Sequence, residues 1–141
     1  MIPGREIFTG RGGQNAQILI PISYRKSYGY INELLYKYYV RSTSHSHSIN
    51  TAEKTIHQYT LFEKLVLETL KKMPDEAYLR YKSKLCRYYS RLRFGNALDT
   101  QDPQIISRYF HEMIQNNEAK LFDWFRFMKH TNFLLRSLFG K

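Results

Sequence analysis

Pro74 and the pair Asp102-Pro103 constrain this chain more than any other feature. Proline breaks a helix interior by removing a backbone donor, yet it fits the first helical turn, where that donor is unused. These two sites divide the middle of the chain into three stretches, and in each the apolar residues recur every three or four positions. The first carries Ile56, Tyr59, Leu61, Phe62, Leu65, Val66, Leu70 and Met73. The second carries Tyr78, Tyr81, Leu85, Tyr88 or Tyr89, and Leu92. The third carries Ile105, Ile106, Tyr109, Phe110, Met113 and Ile114. That period predicts three amphipathic helices. Asn50 with Glu53 reads as a capping box for the first. The second is expected from about Asp75 to Phe94, with Gly95 stopping it in the left-handed conformation. Asp102 is the expected N-cap of the third, with Pro103 at its first position. Strand-like alternation is weak and confined to residues 17–24. The expected fold is all-α: an antiparallel three-helix bundle with an extended N-terminal arm and a C-terminal helical extension, since short connections favour antiparallel neighbours.

The organisation follows from the same pattern. Residues 1–48 form an N-terminal arm with a short helix and a polar linker, residues 49–117 the three-helix core, and residues 118–141 an aromatic helical extension. Gly and Pro interrupt residues 1–26, whose apolar cluster of Ile18, Leu19, Ile20 and Ile22 is expected to lie on something else. Ile31, Leu34, Leu35 and Tyr38 predict a short helix over 27–41, followed by a polar linker over 42–48. His45 and His47 in that linker have no further ligand motif beside them and read as solvated. In the extension, Leu121, Trp124, Phe125 and Met128 precede the amphipathic "NFLLRSLFG". An aromatic cluster of that size suggests an interface.

At 141 residues and 43% hydrophobic, with 12 Tyr and 9 Phe, the chain is too apolar to be disordered and long enough for one modest core. Its net charge of +10 calls for an acidic partner: nucleic acid, an anionic membrane surface or an acidic protein. Cys86 is the single cysteine, so no internal disulfide framework exists, and it reads as a small helix residue. No stretch reaches the apolar length of a membrane span. Arg5, Arg11, Arg25 and Lys26 against Glu6 give the N-terminus a transit-like balance, but Pro3, Gly4, Gly12, Gly13 and Pro21 break any amphipathic helix there. Import into an organelle, if it occurs, is expected without cleavage. His57, His111 and His130 stand apart, and no nucleophile elbow, phosphate loop or metal-ligand pair appears, so neither an enzyme nor a metal site is expected.

The second helix carries its own charge pattern. Arg80, Lys84, Arg87 and Arg91 fall at i, i+4, i+7 and i+11, flanked by Lys82 and Arg93, and no acid occurs between residues 77 and 98. Like charges at i, i+4 cost roughly 0.2–0.5 kcal/mol per pair, so a single-sign stripe is more than a generic solvated face. Arg91, Phe94 and Asp102-Pro103 also carry a resemblance. An arginine three residues before a phenylalanine, then Asp-Pro eight residues later, is similar to the second and third helices of the LYR-motif family of small mitochondrial three-helix proteins. The likeness covers roughly residues 50–117. Within the family the chain most resembles the accessory subunits of the peripheral arm of respiratory complex I (NADH:ubiquinone oxidoreductase), through "SINTAEK", Pro74 and "KHTNFLLRSLF". The Leu-Tyr-Arg triplet is not intact. Leu61-Phe62-Glu63 and Leu65-Val66-Leu67 occupy the candidate positions without its arginine, Lys64 is the nearest cation, and "LLYKYYVR" lies too far upstream.

The resemblance implies a non-catalytic accessory subunit on the matrix side of the mitochondrial inner membrane. It implies docking of the small acidic mitochondrial acyl carrier protein, whose acylated 4'-phosphopantetheine enters the helix bundle. No cofactor of the chain's own is implied. Lys64, Arg80, Lys84, Arg87 and Arg91 are then the docking cations, with Arg91 facing the partner. Phe62, Val66, Leu85, Phe94, Ile106 and Phe110 are the lining of the acyl site and core, with Met73 and Met113 as adaptable packing. Two other readings stay open: a ribosome-associated or RNA-binding basic protein, given net +10 with 12 tyrosines, and an LYR-type assembly factor.

Overall fold

A computed structural model describes residues 13, 15–27, 29, 32–33 and 51–139, with side chains through residue 131. The described residues are all-helical. Five helices follow in order: α1 (Ala16–Arg25), α2 (Ala52–Lys71), α3 (Asp75–Asp99), α4 (Pro103–Gln115) and α5 (Leu121–Phe139). Most of the helix expected over 27–41, the linker with His45 and His47, and Asn50 lie outside the described residues. Thr51 caps α2, its hydroxyl accepting from the Lys54 amide at 3.3 Å. At α4 the Asp102 carboxylate accepts from the amides of Gln104 (2.8 Å) and Ile105 (3.3 Å), with Pro103 in the first turn. This is the cap its sequence predicts. Asp75 and Glu76 place negative charge in the first turn of α3, where the helix dipole favours it.

Two elements differ from expectation. Gly95 does not stop α3, which continues to Asp99. Ala97 and Leu98 are buried in the core, and that burial outweighs the local signal of the glycine. The chain turns instead at Gln101, whose φ of 57° is left-handed, after the Thr100 hydroxyl donates to the Ala97 carbonyl at 2.7 Å. The arm is likewise not extended throughout, because Ala16–Arg25 is helical despite Pro21 within it. No side chain caps this helix. It is held by packing, with Ile20 against the Leu70, Met73 and Ala77 cluster, so tertiary contact decides its conformation.

Helix α3 sits between α2 and α4 and supplies both with their main partner. One core gathers Phe94, Ala97 and Leu98 of α3 with Ile56 of α2 and Ile106, Phe110 and Met113 of α4. Helix α5 closes it. Phe127 stacks on Phe110 with ring centroids 4.3 Å apart and planes 9° apart, and Trp124 meets Phe110 edge-on at 4.7 Å. The turn into α5 follows a left-handed Asn117 (φ 54°), with amides of Asn117 and Glu118 donating to Ile114 and Met113 carbonyls, both at 2.9 Å. That is the Schellman closure, with Asn in place of Gly. The second cluster, Leu70, Met73 and Ala77, lies at the α2–α3 turn.

A buried ionic bridge joins the three central helices. Arg93 of α3 is only 4% exposed. Its Nη2 lies 2.7 Å from Glu63 Oε2 on α2, and its Nε donates to Glu112 Oε1 on α4 at 3.1 Å. A second Nη2 contact also reaches Glu112. Its Nη1 is buried with no hydrogen-bond partner. Burial by itself would lower the Arg93 pKa, but the Glu112 and Glu63 carboxylates outweigh it and raise it.

Two stability measurements test this fold. A methyl group at Gly95 meets nothing within 4 Å, so Gly95→Ala should stabilise by about 0.5–1 kcal/mol in a denaturant titration. A glycine needed in the left-handed conformation would give the opposite sign. Removing the bridging cation, as in Arg93→Met, should cost roughly 3–5 kcal/mol, and replacing Glu63 and Glu112 by apolar residues as well should restore most of it.

Candidate functional site

Helices α1, α2 and α3 border an open apolar groove of about 560 Å³. Helix α1 contributes Ile20 and Tyr24, α2 contributes Val66, and the α2–α3 turn contributes Met73. The α3 wall is Tyr81, Leu85 and Tyr88, with Lys84 on the same wall. Their spacing of i, i+4 and i+7 puts the three apolar α3 residues on one helical face. The volume falls within the roughly 300–1,000 Å³ typical of small-ligand sites. A cleft this apolar suits a chain-like hydrophobic ligand, and Lys84 offers a cation for an anionic group beside it.

The cations of α3 divide into two sets. Arg80, Lys84 and Arg87 are exposed. Arg80 and Lys84 both approach the Tyr81 ring, at 5.5 Å and 6.0 Å from its centroid, contacts that are weak in water. Arg91 departs from the expectation that it faces a partner. Its Nε donates to Glu118 Oε1 at 2.8 Å, and its Nη2 to the Glu118 carbonyl at 2.9 Å and to Asp123 Oδ2 at 3.2 Å. Burial pulls its pKa down, but these carboxylates more than compensate and hold it up. Asp123 is itself buried and accepts from the Lys120 amide at 3.0 Å. Arg91 therefore ties α3 to the start of α5. Arg93, on the opposite side, is the buried bridge. Lys64 is exposed on α2.

The six lining residues expected from sequence separate in space. Val66 and Leu85 line the groove. Phe94, Ile106 and Phe110 lie in the closed core with Phe127, away from the groove, and Met113 is sealed there with them. Phe62 is taken up elsewhere: its ring presses on the backbone of Gly13, whose φ of +67° and lack of a side chain permit the approach. Met73 lines the groove. Sequence reasoning did not assign Leu19, Ile20 and Tyr24 to the site, although the Ile18–Ile22 cluster had signalled a surface needing cover. Tyr81 and Tyr88 had the signal too, as members of the period that Leu85 belongs to.

Other groups are chemically quiet. Burial, then the Glu63 carboxylate, pushes the Cys86 thiol up, which keeps it protonated and weakly nucleophilic. His111 Nδ1 lies 2.7 Å from the Ser107 carbonyl, an intrahelical contact. Among the described residues no three His, Cys, Asp or Glu side chains gather as a metal site, and no helix is long and apolar enough to cross a membrane. Compared with protein-family models, curated proteins and solved structures, the chain matches none.

A ligand-binding measurement checks the groove. A fluorescent long-chain fatty acid should bind the protein, and Val66→Phe, which adds volume to the wall, should weaken binding about tenfold, or roughly 1.4 kcal/mol. Unchanged affinity in that variant places the ligand elsewhere.

Proposed function

We propose that this chain is a non-catalytic docking subunit that engages a small acidic carrier protein along α3 and receives the carrier's acyl group in the α1–α2–α3 groove. One observation carries the reading: Lys84 belongs both to the groove and to the exposed cationic edge formed with Arg80 and Arg87. A partner with an acidic helix and a thioester-linked acyl chain on 4'-phosphopantetheine meets both features at once. Single-sign charge steers such an encounter, and the apolar groove then holds the chain. The spacing of Arg91, Phe94 and Asp102-Pro103 supports the LYR-motif likeness, and with it a place as an accessory subunit of respiratory complex I on the matrix side of the mitochondrial inner membrane.

The docking set in this proposal is Arg80, Lys84 and Arg87, with Lys64 on α2 as a further cation. Arg91 acts through the fold rather than at the interface. Of the two positions where the family's named arginine could fall, Glu63 and Leu67, Glu63 is engaged by Arg93 inside the chain and neither supplies a cation. Docking then depends on α3 alone to a greater degree than the family motif implies.

Native mass spectrometry on the tagged chain, purified gently from its own mitochondria, tests this. The expected result is a bound small acidic protein bearing an acylated phosphopantetheine. The combined reversal Arg80→Glu, Lys84→Glu and Arg87→Glu should slow association at low salt by at least about tenfold while leaving helicity intact. Reversal at Arg91 should lower stability instead. Recovery with RNA, or within a large assembly but without such a carrier, overturns the reading.

A further inference from the structure

The outward face of α5 has no role in the docking reading and stands independently of it. Leu121, Phe122 and Phe125 are 74%, 70% and 58% exposed, and Met128 continues the same face. These positions follow i, i+1, i+4 and i+7, one side of a helix. The opposite side is fixed: Phe127 is stacked on Phe110, and Asp123 is held by Arg91. The apolar residues therefore cannot turn inward without dismantling the core. Trp124, with its ring against Phe110, stands at the edge of the face.

The charge on α5 selects the partner. Asp123 is its one acid, and that carboxylate is buried and paired inside the chain. No acid follows it in the sequence, whereas Arg126, Lys129, Arg136 and Lys141 do. Lys129 is exposed directly beside the apolar residues. A helix that presents Leu, Phe and Trp together with cations and no available acid fits the boundary of an anionic bilayer. There the apolar side chains enter the acyl region, while Lys and Arg reach the headgroups. The helix lies on such a surface rather than crossing it, because no described helix is long and apolar enough to span.

We propose that α5 is a membrane-surface site that inserts Leu121, Phe122, Phe125 and Met128 into the interface of a bilayer rich in anionic phospholipid, with Lys129 on the headgroups. This orients the rest of the molecule, with α1 to α4 held off the membrane.

Flotation of the full chain with phosphatidylcholine vesicles, with and without phosphatidylglycerol, tests the proposal. The chain should float with the phosphatidylglycerol vesicles, much less with phosphatidylcholine alone, and less as salt rises. Trp124 is the only tryptophan, so its emission should shift to the blue on binding. Phe122→Ser with Phe125→Ser should keep the circular dichroism of the parent, because both rings are exposed, and weaken partitioning by at least about tenfold. Lys129→Glu should weaken binding to the anionic vesicles selectively. No flotation with phosphatidylglycerol overturns the proposal, as does undiminished flotation of the double serine variant. A wild-type dimer that the serine variant abolishes, without vesicle binding, assigns the face to a second copy of the chain and also overturns it.

Discussion

The fold turns on one buried arginine. Arg93 lies on the central helix, and its guanidinium reaches Glu63 on α2 and Glu112 on α4. Burying the guanidinium is costly, and the two half-buried carboxylates recover that cost only while all three groups stay in register. The bridge thereby fixes how α2 and α4 rotate about α3. It specifies an arrangement more than it adds net stability. The neighbouring aromatic contacts supply the apolar driving force: Phe94 against Phe110, and Phe110 against Phe127 and Trp124. The helical repeat puts Arg80, Lys84 and Arg87 on one edge of α3, and Lys84 of that edge lines the groove.

A second ionic contact sets the other boundary of the molecule. Arg91 bonds Glu118 and Asp123, and so pins the α4–α5 turn to α3. This consumes the only acid of α5 and leaves its outer face apolar and basic. The same helix α3 thus uses its cations in two ways. Its first half borders the groove with exposed cations. Its second half turns its arginines inward to hold neighbouring helices.

Much of the secondary structure was legible because its signals are local. The Asp102-Pro103 cap, the break near Pro74 and the apolar period of the three central helices are all read within one or two turns of chain. The all-α class follows from them. Errors arose where distant residues intervene. Gly95 resembles a helix stop until Ala97 and Leu98 are seen to need burial. Residues 16–25 look irregular until Ile20 finds the α2–α3 cluster. In the candidate groove, Val66 and Leu85 were marked through the family resemblance and the cations at 80, 84 and 87 through charge and spacing, while the α1 wall was not marked at all.

What the sequence by itself determined is therefore the class of fold, the helix limits near its proline and aspartate signals, and a strongly cationic central helix. Those properties depend on residues a few positions apart, whose relative placement the helical repeat dictates. Only the tertiary structure decided which arginines remain available. Arg87, Arg91 and Arg93 lie within seven residues of one another in an acid-free stretch, and nothing local distinguishes them. Arg87 is exposed, Arg91 is paired with the α4–α5 turn, and Arg93 is buried between two glutamates. The acids that separate them are 19 to 32 positions away for the contacts to α4 and α5, and on α2 for Glu63. Only folding brings those charges within reach.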